Sequence, residues 1–476
     1  MRTAIDGASD GDTIDLSGLA CSLITLQSGA LVSPVANLSL VGPGVDVLTI
    51  DAGNANRVLK GASLDIADLT IAHGVELSGY GGGCILATGD LALTRAKVSS
   101  CSTVNINDTA LGGGVLVLGN LTMHSSTIAS SKADGAKAAA GGGAFVSGTP
   151  TLYDSVISGN TAEAAQASAY GGGLVALSDM TLHGSSVDGN EAHSAGASAY
   201  GGGLHSAYSG ISVLDGSTIS NNRADSDSSP SYGGGVSSGV IANPSPAMVM
   251  IDHSTISGNT ADATCNACLI SGGGVHAIDS IVAVYSTVSY NEALCDDPGL
   301  QCSTGGGGLA ATGQSTASSI TLRSTTISGN HSTGGSDPAA FSAGGGIMGG
   351  LGLRIVAHNS TIAFNDAATL GGGIAATSSA STPSELVSTI VADNHSGGGA
   401  GDIVAGPFGN DLVLEGSNNM VTAAGAGVTL PGDTSTDEPL LLPLTTANGG
   451  VTATHALAAG SPAIDTGSNP DAFLFD

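Results

Sequence analysis

The sequence predicts an all-β chain, a single-stranded right-handed parallel β-helix solenoid of roughly ten to thirteen turns with irregular end caps. Three observations predict it. Glycine triplets recur about every 30 residues through most of the 476-residue chain. A short motif ending in Asn sits between successive triplets. Apolar residues are spaced by two, in short runs rich in Val, Ile and Leu, and that is the period of a strand.

The triplets come first. They lie at 81–83, 112–114, 141–143, 171–173, 201–203, 233–235, 272–274, 306–308, 344–346 and 371–373, and their starts are 27 to 39 residues apart. Glycine totals 75 residues without a Gly-x-y period, which excludes collagen. Helical solenoids need apolar residues every three to four positions, and these units lack them. The stretch GGGLVALSDMTLHGSSVDGN at 171–190 shows one unit: glycines, an apolar residue, an alternating strand with Met180 and Leu182, then the Asn motif. A variable run of Ala, Ser, Thr and Asp leads to the next triplet. Two or three short strands per unit suit one turn, stacked on the next at about 4.8 Å. Phosphate loops also use glycine, but none of these triplets is followed by Lys, so they read as tight corners.

The motif recurs as DSVISGN (154–160), GSSVDGN (184–190), HSTISGNT (253–260) and NSTIAFN (359–365). Its apolar residue, at Ile157, Val187, Ile219, Ile256, Val288, Ile327, Ile362 and Ile390, is expected to point inward and stack on its equivalent one turn away. Each such burial is worth about 1.5–3 kcal/mol. The final residue (Asn160, Asn190, Asn222, Asn259, Asn291, Asn330, Asn365) is read as a structural ladder at a corner. Asn tolerates left-handed backbone, and its amide can bond the next turn. A binding stripe of amides is the functional alternative. Tyr80, Tyr170, Tyr200 and Tyr232 precede triplets. The last three belong to consecutive turns, so their rings are expected to form a column, either as packing beside the corner or as a platform for sugar or aromatic ligands.

The ends and the cysteines follow. Residues 1–70 keep short strands without triplets and read as an N-terminal cap with the first rungs. Residues 71–410 carry the repeats. Residues 411–476 lose them and read as a last rung and lid, which blunts an open sheet edge. Of seven cysteines, Cys268 and Cys302 each lie four residues before a triplet, in equivalent places on successive turns. Cys265 and Cys295 follow their ladder Asn. Cross-turn disulfides Cys268–Cys302 and Cys265–Cys295 are expected, with Cys84–Cys101 as a further pair; a four-cysteine zinc site and free thiols remain the alternatives.

Charge limits the partners. Ten Lys and Arg face 39 Asp and Glu, a net charge of −29, and no Lys or Arg follows Arg354. Nucleic acid and anionic membrane surfaces are poor partners for such a chain. No apolar run reaches the roughly 18–20 residues of a spanning helix, and the start lacks the basic end and apolar stretch of a signal peptide. A polysaccharide lyase needs a basic residue, for which Arg95, Lys97, Lys132 and Lys137 are the candidates. A glycoside hydrolase needs paired carboxylates, with Asp225 and Asp227, Asp296 and Asp297, or Asp188 available. All these carboxylates fall in stretches that read as solvated surface. His124 and His183 share one repeat position, with Tyr153 between them, and form no metal signature. GGGAGD at 397–402 is a single imperfect copy of a calcium-binding repeat, so scattered aspartates leave Ca²⁺ open without a dedicated motif and no cofactor is assigned.

Units such as GGGVHAIDSIVAVYSTVSYN (272–291) resemble bacterial right-handed parallel β-helix repeat proteins. They also resemble, more distantly, the repeats of polymorphic outer-membrane adhesins, although only NSTIAFN places Phe beside the Asn. RTAID (2–6), GDTIDL (11–16) and LSLVGPGVDVLTIDAGNANRVL (38–59) look like the opening of large exported β-helix proteins. EPLLLPLTTANGGVTATHALAAGSPAIDTG (438–467) is similar to the region preceding variable sorting anchors, the choice-of-anchor Q domain. The resemblance implies export, and a chain trimmed of both signal peptide and anchor. The expected function is a non-enzymatic secreted or surface β-helix in an adhesion, stalk or matrix role, with extracellular glycans or cell-surface proteins as partners. The alternative is a lyase or hydrolase acting on a lateral groove.

Overall fold

The computed structural model describes the chain except residues 78, 80, 240–246, 296, 298, 313–317, 336, 338–339, 378–382, 400, 407–410 and 470–476. Tyr80, Asp296 and Ala400, named above, lie outside the described residues. The fold is the predicted one: all-β, 48% strand and 2% helix, with parallel sheets stacked as a solenoid of about 13 turns. It divides into two compact units, Met1–Ser209 with Asn222–Asp225, and Gly210–Asn221 with Ser226–Asp476.

A turn has five strands rather than two or three, each in its own parallel sheet. One turn of the first unit runs Leu121–His124, Thr127–Ala129, Lys132–Gly135, Ala139–Ala140 and Ala144–Val146, one strand for each of sheets I to V. A turn of the second unit runs Ser280–Val284, Thr287–Ser289, Glu292–Cys295, Ser303–Gly305 and Leu309–Ala311. Sheets I, II and V carry the large core, with Val115, Val117, Val146 and Leu174 of sheet V fully buried. Leu121, Met123, Leu152 and Leu182 of sheet I, and Ile128, Ile157 and Val187 of sheet II, have no exposed surface. In the second unit Ile256 pairs with Val288, and Val288 with Ile327, all fully buried.

One residue departs from the expected series. Ile390 pairs with Thr361 and faces outward, while Val391 pairs with Ile362 and fills the core. The motif there is STIVADN, and Thr389 takes the corner position that Ser360 holds one turn earlier, so the apolar position moves one residue along.

The Ala- and Ser-rich runs between motif and triplet are sheets III and IV. Their inward residues are small because the two sheets close tightly on each other: Ala110, Ala133, Ala139, Ala162, Ala164, Ala169 and Ala192 form one buried cluster. The triplets join sheets IV and V. From Gly112 onward the first glycine has a left-handed backbone, with φ from 51° to 72°. A Cβ on the second would overlap the backbone of neighbouring turns, as Gly113 shows against Gly142 and Lys132. A Cβ on the third would lie 2.7 Å from a carbonyl oxygen of the next turn at Gly143, and 2.6 Å at Gly173. The first glycine is needed for its dihedral angle and for close approach, since a Cβ on Gly112 would lie 2.0 Å from Val115 O, and the other two are needed for close approach.

The short helix Arg2–Asp6 buries Ile5 against the first turn, and the Arg2 guanidinium donates to the carbonyls of Gly29 and Ala30 at 2.7 Å. At the other end Leu412–Ser417, Met420–Val421 and Val428–Thr429 continue the sheets. Residues 436–469, expected to belong to a lid, instead turn back and lie along the flank of the second unit, where Thr287 Oγ1 donates to Ala453 O at 2.6 Å and Ser468 N–H to Ser388 Oγ at 2.6 Å. No helix among the described residues is long and apolar enough to cross a membrane.

Candidate functional site

The motif that dominates the sequence forms two hydrogen-bond ladders with a strand between them. Its last residue makes the first ladder. Asn160 donates from its backbone N–H and from Nδ2 to Asn190 Oδ1 at 3.0 and 2.9 Å. Asn190 does the same to Asn222. In the second unit the pattern runs Asn259 to Asn291, Asn330, Asn365 and Asn394, each step at 3.0 and 2.9 Å. Each Nδ2 also reaches a strand carbonyl of the preceding turn, as Asn291 does to Ile256 O at 3.0 Å. From Asn160 to Asn365 the amides are buried and bonded inside the wall, so they offer no surface to a ligand, and Asn394 is partly buried. The left-handed residue is the one before each Asn (Gly159, Gly189, Asn221, Gly258, Tyr290, Gly329, Phe364) rather than the Asn itself.

The first Ser or Thr of the motif makes the second ladder, which the sequence did not reveal. Ala96 N–H donates to Ser126 Oγ at 3.0 Å, Ser126 N–H to Ser155 Oγ at 3.1 Å, and Ser155 N–H to Ser185 Oγ at 3.0 Å. Each hydroxyl donates back to the carbonyl two residues earlier, as Ser155 does to Tyr153 at 2.7 Å. The residue before this Ser or Thr turns the corner between sheets I and II in the left-handed region, as Ser125, Asp154, Gly184, His253, Tyr285, Ser324, Asn359 and Ser388 do. The regular Ser or Thr ahead of each strand was the available signal.

Tyr170 and Tyr200 stack with ring centroids 5.2 Å apart, and both rings lie against His205. Tyr170 also packs on the outward row of sheet V, Leu116, Phe145 and Val175. Burial raises the Tyr200 phenol above its usual range. In the second unit Tyr232 lies 4.9 Å from the His276 ring. These rings fill the angle between sheets IV and V. A second aromatic row stands at the edge of sheet I: His124, Tyr153 and His183 stack at 4.7 and 5.0 Å, with His124 exposed.

The four clustered cysteines do come together, in one patch with Ala261, Ala263, Ile270 and Ala293. The disulfides close within a turn rather than between turns: Cys265–Cys268 and Cys295–Cys302, with Cα separations of 6.0 and 6.2 Å. The two turns are neighbours all the same, since Ser303 N–H donates to Cys268 O at 2.8 Å. Partners three and seven residues apart in one loop reach each other without crossing the ladder. Cys84 is bonded to Cys101, and Cys21 is free and exposed.

The basic residues weighed for lyase chemistry are mostly paired with carboxylates. Arg95 holds Asp68 through two bonds of 2.7 Å, which lowers the Asp68 carboxyl below its ordinary value. Lys132 contacts Asp134 and Glu163, and Lys137 contacts Asp108 at 3.2 Å. Lys97 is exposed. Of the carboxylates weighed for hydrolysis, Asp225 bonds the His193 ring at 2.9 Å, Asp188 stands on the outer side of sheet II, and Asp227 and Asp297 are exposed. A hollow of about 330 Å³ on sheet I of the first unit includes Asp65 and Asp90, but Asp90 Oδ1 is occupied by the Asn120 N–H at 2.8 Å. No family model, curated protein or solved structure matches this chain.

Proposed function

We propose that this protein is a non-enzymatic, secreted or surface-exposed solenoid that presents its lateral faces and loops to extracellular glycans or cell-surface proteins, in an adhesion, stalk or matrix role. One observation carries the reading: the polar residues that recur through the chain bind turn to turn. Asparagines and serines form buried ladders, and Arg95, Lys132 and Lys137 engage carboxylates. Such a molecule commits its polar groups to a stable wall and leaves recognition to its outer faces. Three disulfides support an oxidising destination, as does the likeness of both ends to exported repeat proteins. The acidic balance keeps such a wall soluble and disfavours polyanionic partners.

The test has two arms. The purified protein is applied to a glycan array and to intact cells, and separately incubated with neutral and uronate polysaccharides while reducing ends and unsaturated uronates are followed. Saturable binding without product supports the reading. Release of either product overturns it in favour of a lyase or hydrolase.

A further inference from the structure

The flank of the second unit carries a half-open hollow beneath a strap that the repeat does not explain. Beyond Ser435 the chain forms a narrow antiparallel strap, bridged at Leu441 with Leu457 and at Thr445 with Thr454, and tipped by the 3-10 turn Thr446–Asn448. The strap is tied to the wall at separate levels. Near its tip Thr452 Oγ1 donates to Tyr285 O at 3.2 Å. At mid-length His455 bonds Ser328 Oγ through Nε2 at 2.9 Å and lies 5.0 Å from the Phe364 ring. Near its end Ser468 N–H donates to Ser388 Oγ at 2.6 Å. Between these ties it stands off the wall and leaves a cavity of about 650 Å³, within the range of about 300–1,000 Å³ of small-molecule sites.

The lining defines the ligand. The floor is the left-handed corner between sheets I and II, with Ser324, Asn359 and Ser388 on successive turns and Thr326 and Thr361 beside them. Their spacing follows the strand repeat of about 4.8 Å. Among the described residues the lining contains no Lys or Arg, and Asp465 is its carboxylate. A phosphate or uronate would meet that charge without a cationic partner. Ile390, Leu441 and Leu457 supply apolar surface. Asn359 Oδ1 is buried and accepts no hydrogen bond among the described residues, although its Nδ2 donates to Asn469 at 3.4 Å. An apolar ligand would cover the hydroxyls of Ser324, Thr326 and Thr361 without bonding them. A ring with hydroxyls at its edge and C–H groups on its faces satisfies both kinds of lining.

We propose that this strapped corner is a binding subsite for a neutral saccharide of one or two rings, with the Asn359 side-chain amide and the Ser and Thr hydroxyls of the floor meeting its hydroxyls. It deepens the recognition reading and rests on it for the extracellular source of the sugar.

Calorimetric titration of the whole protein with neutral disaccharides (cellobiose, maltose, lactose), and with a digalacturonate as the anionic contrast, tests it. Two variants are compared, each checked for an unchanged circular dichroism spectrum and melting temperature. Asn359→Gly keeps the left-handed backbone and removes the amide. Thr361→Trp fills the floor from an outward position. The expected result is binding of a neutral sugar by the parent protein, about tenfold weaker in Asn359→Gly and abolished in Thr361→Trp, and no binding of digalacturonate. A parent protein that binds none of the neutral sugars overturns the proposal, as does preference for the uronate. Glycan binding that persists undiminished in whichever variant folds overturns the subsite while leaving surface recognition intact. Cleavage of a polysaccharide overturns the non-enzymatic reading while leaving the subsite in place.

Discussion

Removing one rung of the asparagine ladder, by Asn291→Ala, measures what holds the turns in register. Asn291 Nδ2 donates to Asn330 Oδ1 at 2.9 Å and to Ile256 O at 3.0 Å. Its Oδ1 receives the Asn259 N–H at 3.0 Å and Asn259 Nδ2 at 2.9 Å. Alanine deletes all four. Each net bond is worth about 1 kcal/mol, and a buried backbone N–H left without an acceptor adds about 1–3 kcal/mol. Asn291 has no exposed surface, so water does not replace the amide without opening the wall. The expected cost is about 4 kcal/mol or more. Urea unfolding followed by circular dichroism reads the loss, and hydrogen exchange at the Asn259 amide locates it. Thr260→Ala, on the outward side of sheet III, is the control and is expected within about 0.5 kcal/mol of the parent. A loss below about 1 kcal/mol in Asn291→Ala, with Asn259 still protected, would refute the reasoning.

The remaining predictions concern corners, pH and cysteines. Gly189→Ala and Gly273→Ala separate strain from crowding: a Cβ at Gly189 meets open space at φ 61° and costs about 1–2 kcal/mol. At Gly273 it collides with the carbonyls of Glu292 and Gly307, and a cost of about 3 kcal/mol or more is expected in the same urea assay. His276 is fully buried, neither ring nitrogen is hydrogen-bonded among the described residues, and burial lowers its pKa to about 4. The unfolded chain therefore binds the extra proton, so stability is complete above about pH 6.5 and falls as pH drops toward about 4, by about 3 kcal/mol in all. His276→Leu should remove that part of the slope, and an unchanged slope in that window would count against the assignment. Peptic peptides of the unreduced protein should contain Cys265 bonded to Cys268 and Cys295 to Cys302, and peptides joining the two turns would contradict the fold of these loops. Replacing both Cys84 and Cys101 by Ala, at a sequence separation of 17, should cost about 3 kcal/mol of unfolding free energy in urea, and a loss near zero would deny the bond its part in holding these turns.

Much of the fold was legible because the repeat writes the same physical demand at every triplet. The triplets mark where backbone crowds backbone, and Ile or Val before the Asn marks the core. Other features were written in residues with several uses. Sheets III and IV read as a variable run because their inward positions are Ala, such as Ala133, Ala162 and Ala192, and Ala carries no strand signal. The corner between sheets I and II was invisible because its left-handed residues are as different as Asp154, His253 and Tyr285. What that corner shares is a turn fixed by the next residue's hydroxyl rather than by its own side chain. The cysteine pairing failed for a related reason. Equivalent places on successive turns are near each other, but Cys265 and Cys295 each have a partner in their own loop. The strap reads as an end lid because apolar, proline-punctuated sequence says that a segment packs, not where.

The end of the ladder shows how a solenoid stops. Every rung passes two donors forward to a single amide oxygen, so the last Asn needs an acceptor that is not another Asn. Asn394 finds Asp402, the final residue of GGGAGD, whose Oδ1 takes the Asn394 N–H at 3.2 Å and its Nδ2 at 2.9 Å. The other oxygen takes the Ala423 N–H at 2.7 Å and the Thr422 hydroxyl. An asparagine at 402 would turn its NH₂ toward two donors and leave them without an acceptor; a carboxylate accepts on both sides. Four donors converge on its two buried oxygens, the partnering that a buried carboxylate requires. Asp402 therefore closes the row by chemistry. The chain beyond it is released from the asparagine repeat, which frees the strap to run back along the flank and cover the corner there.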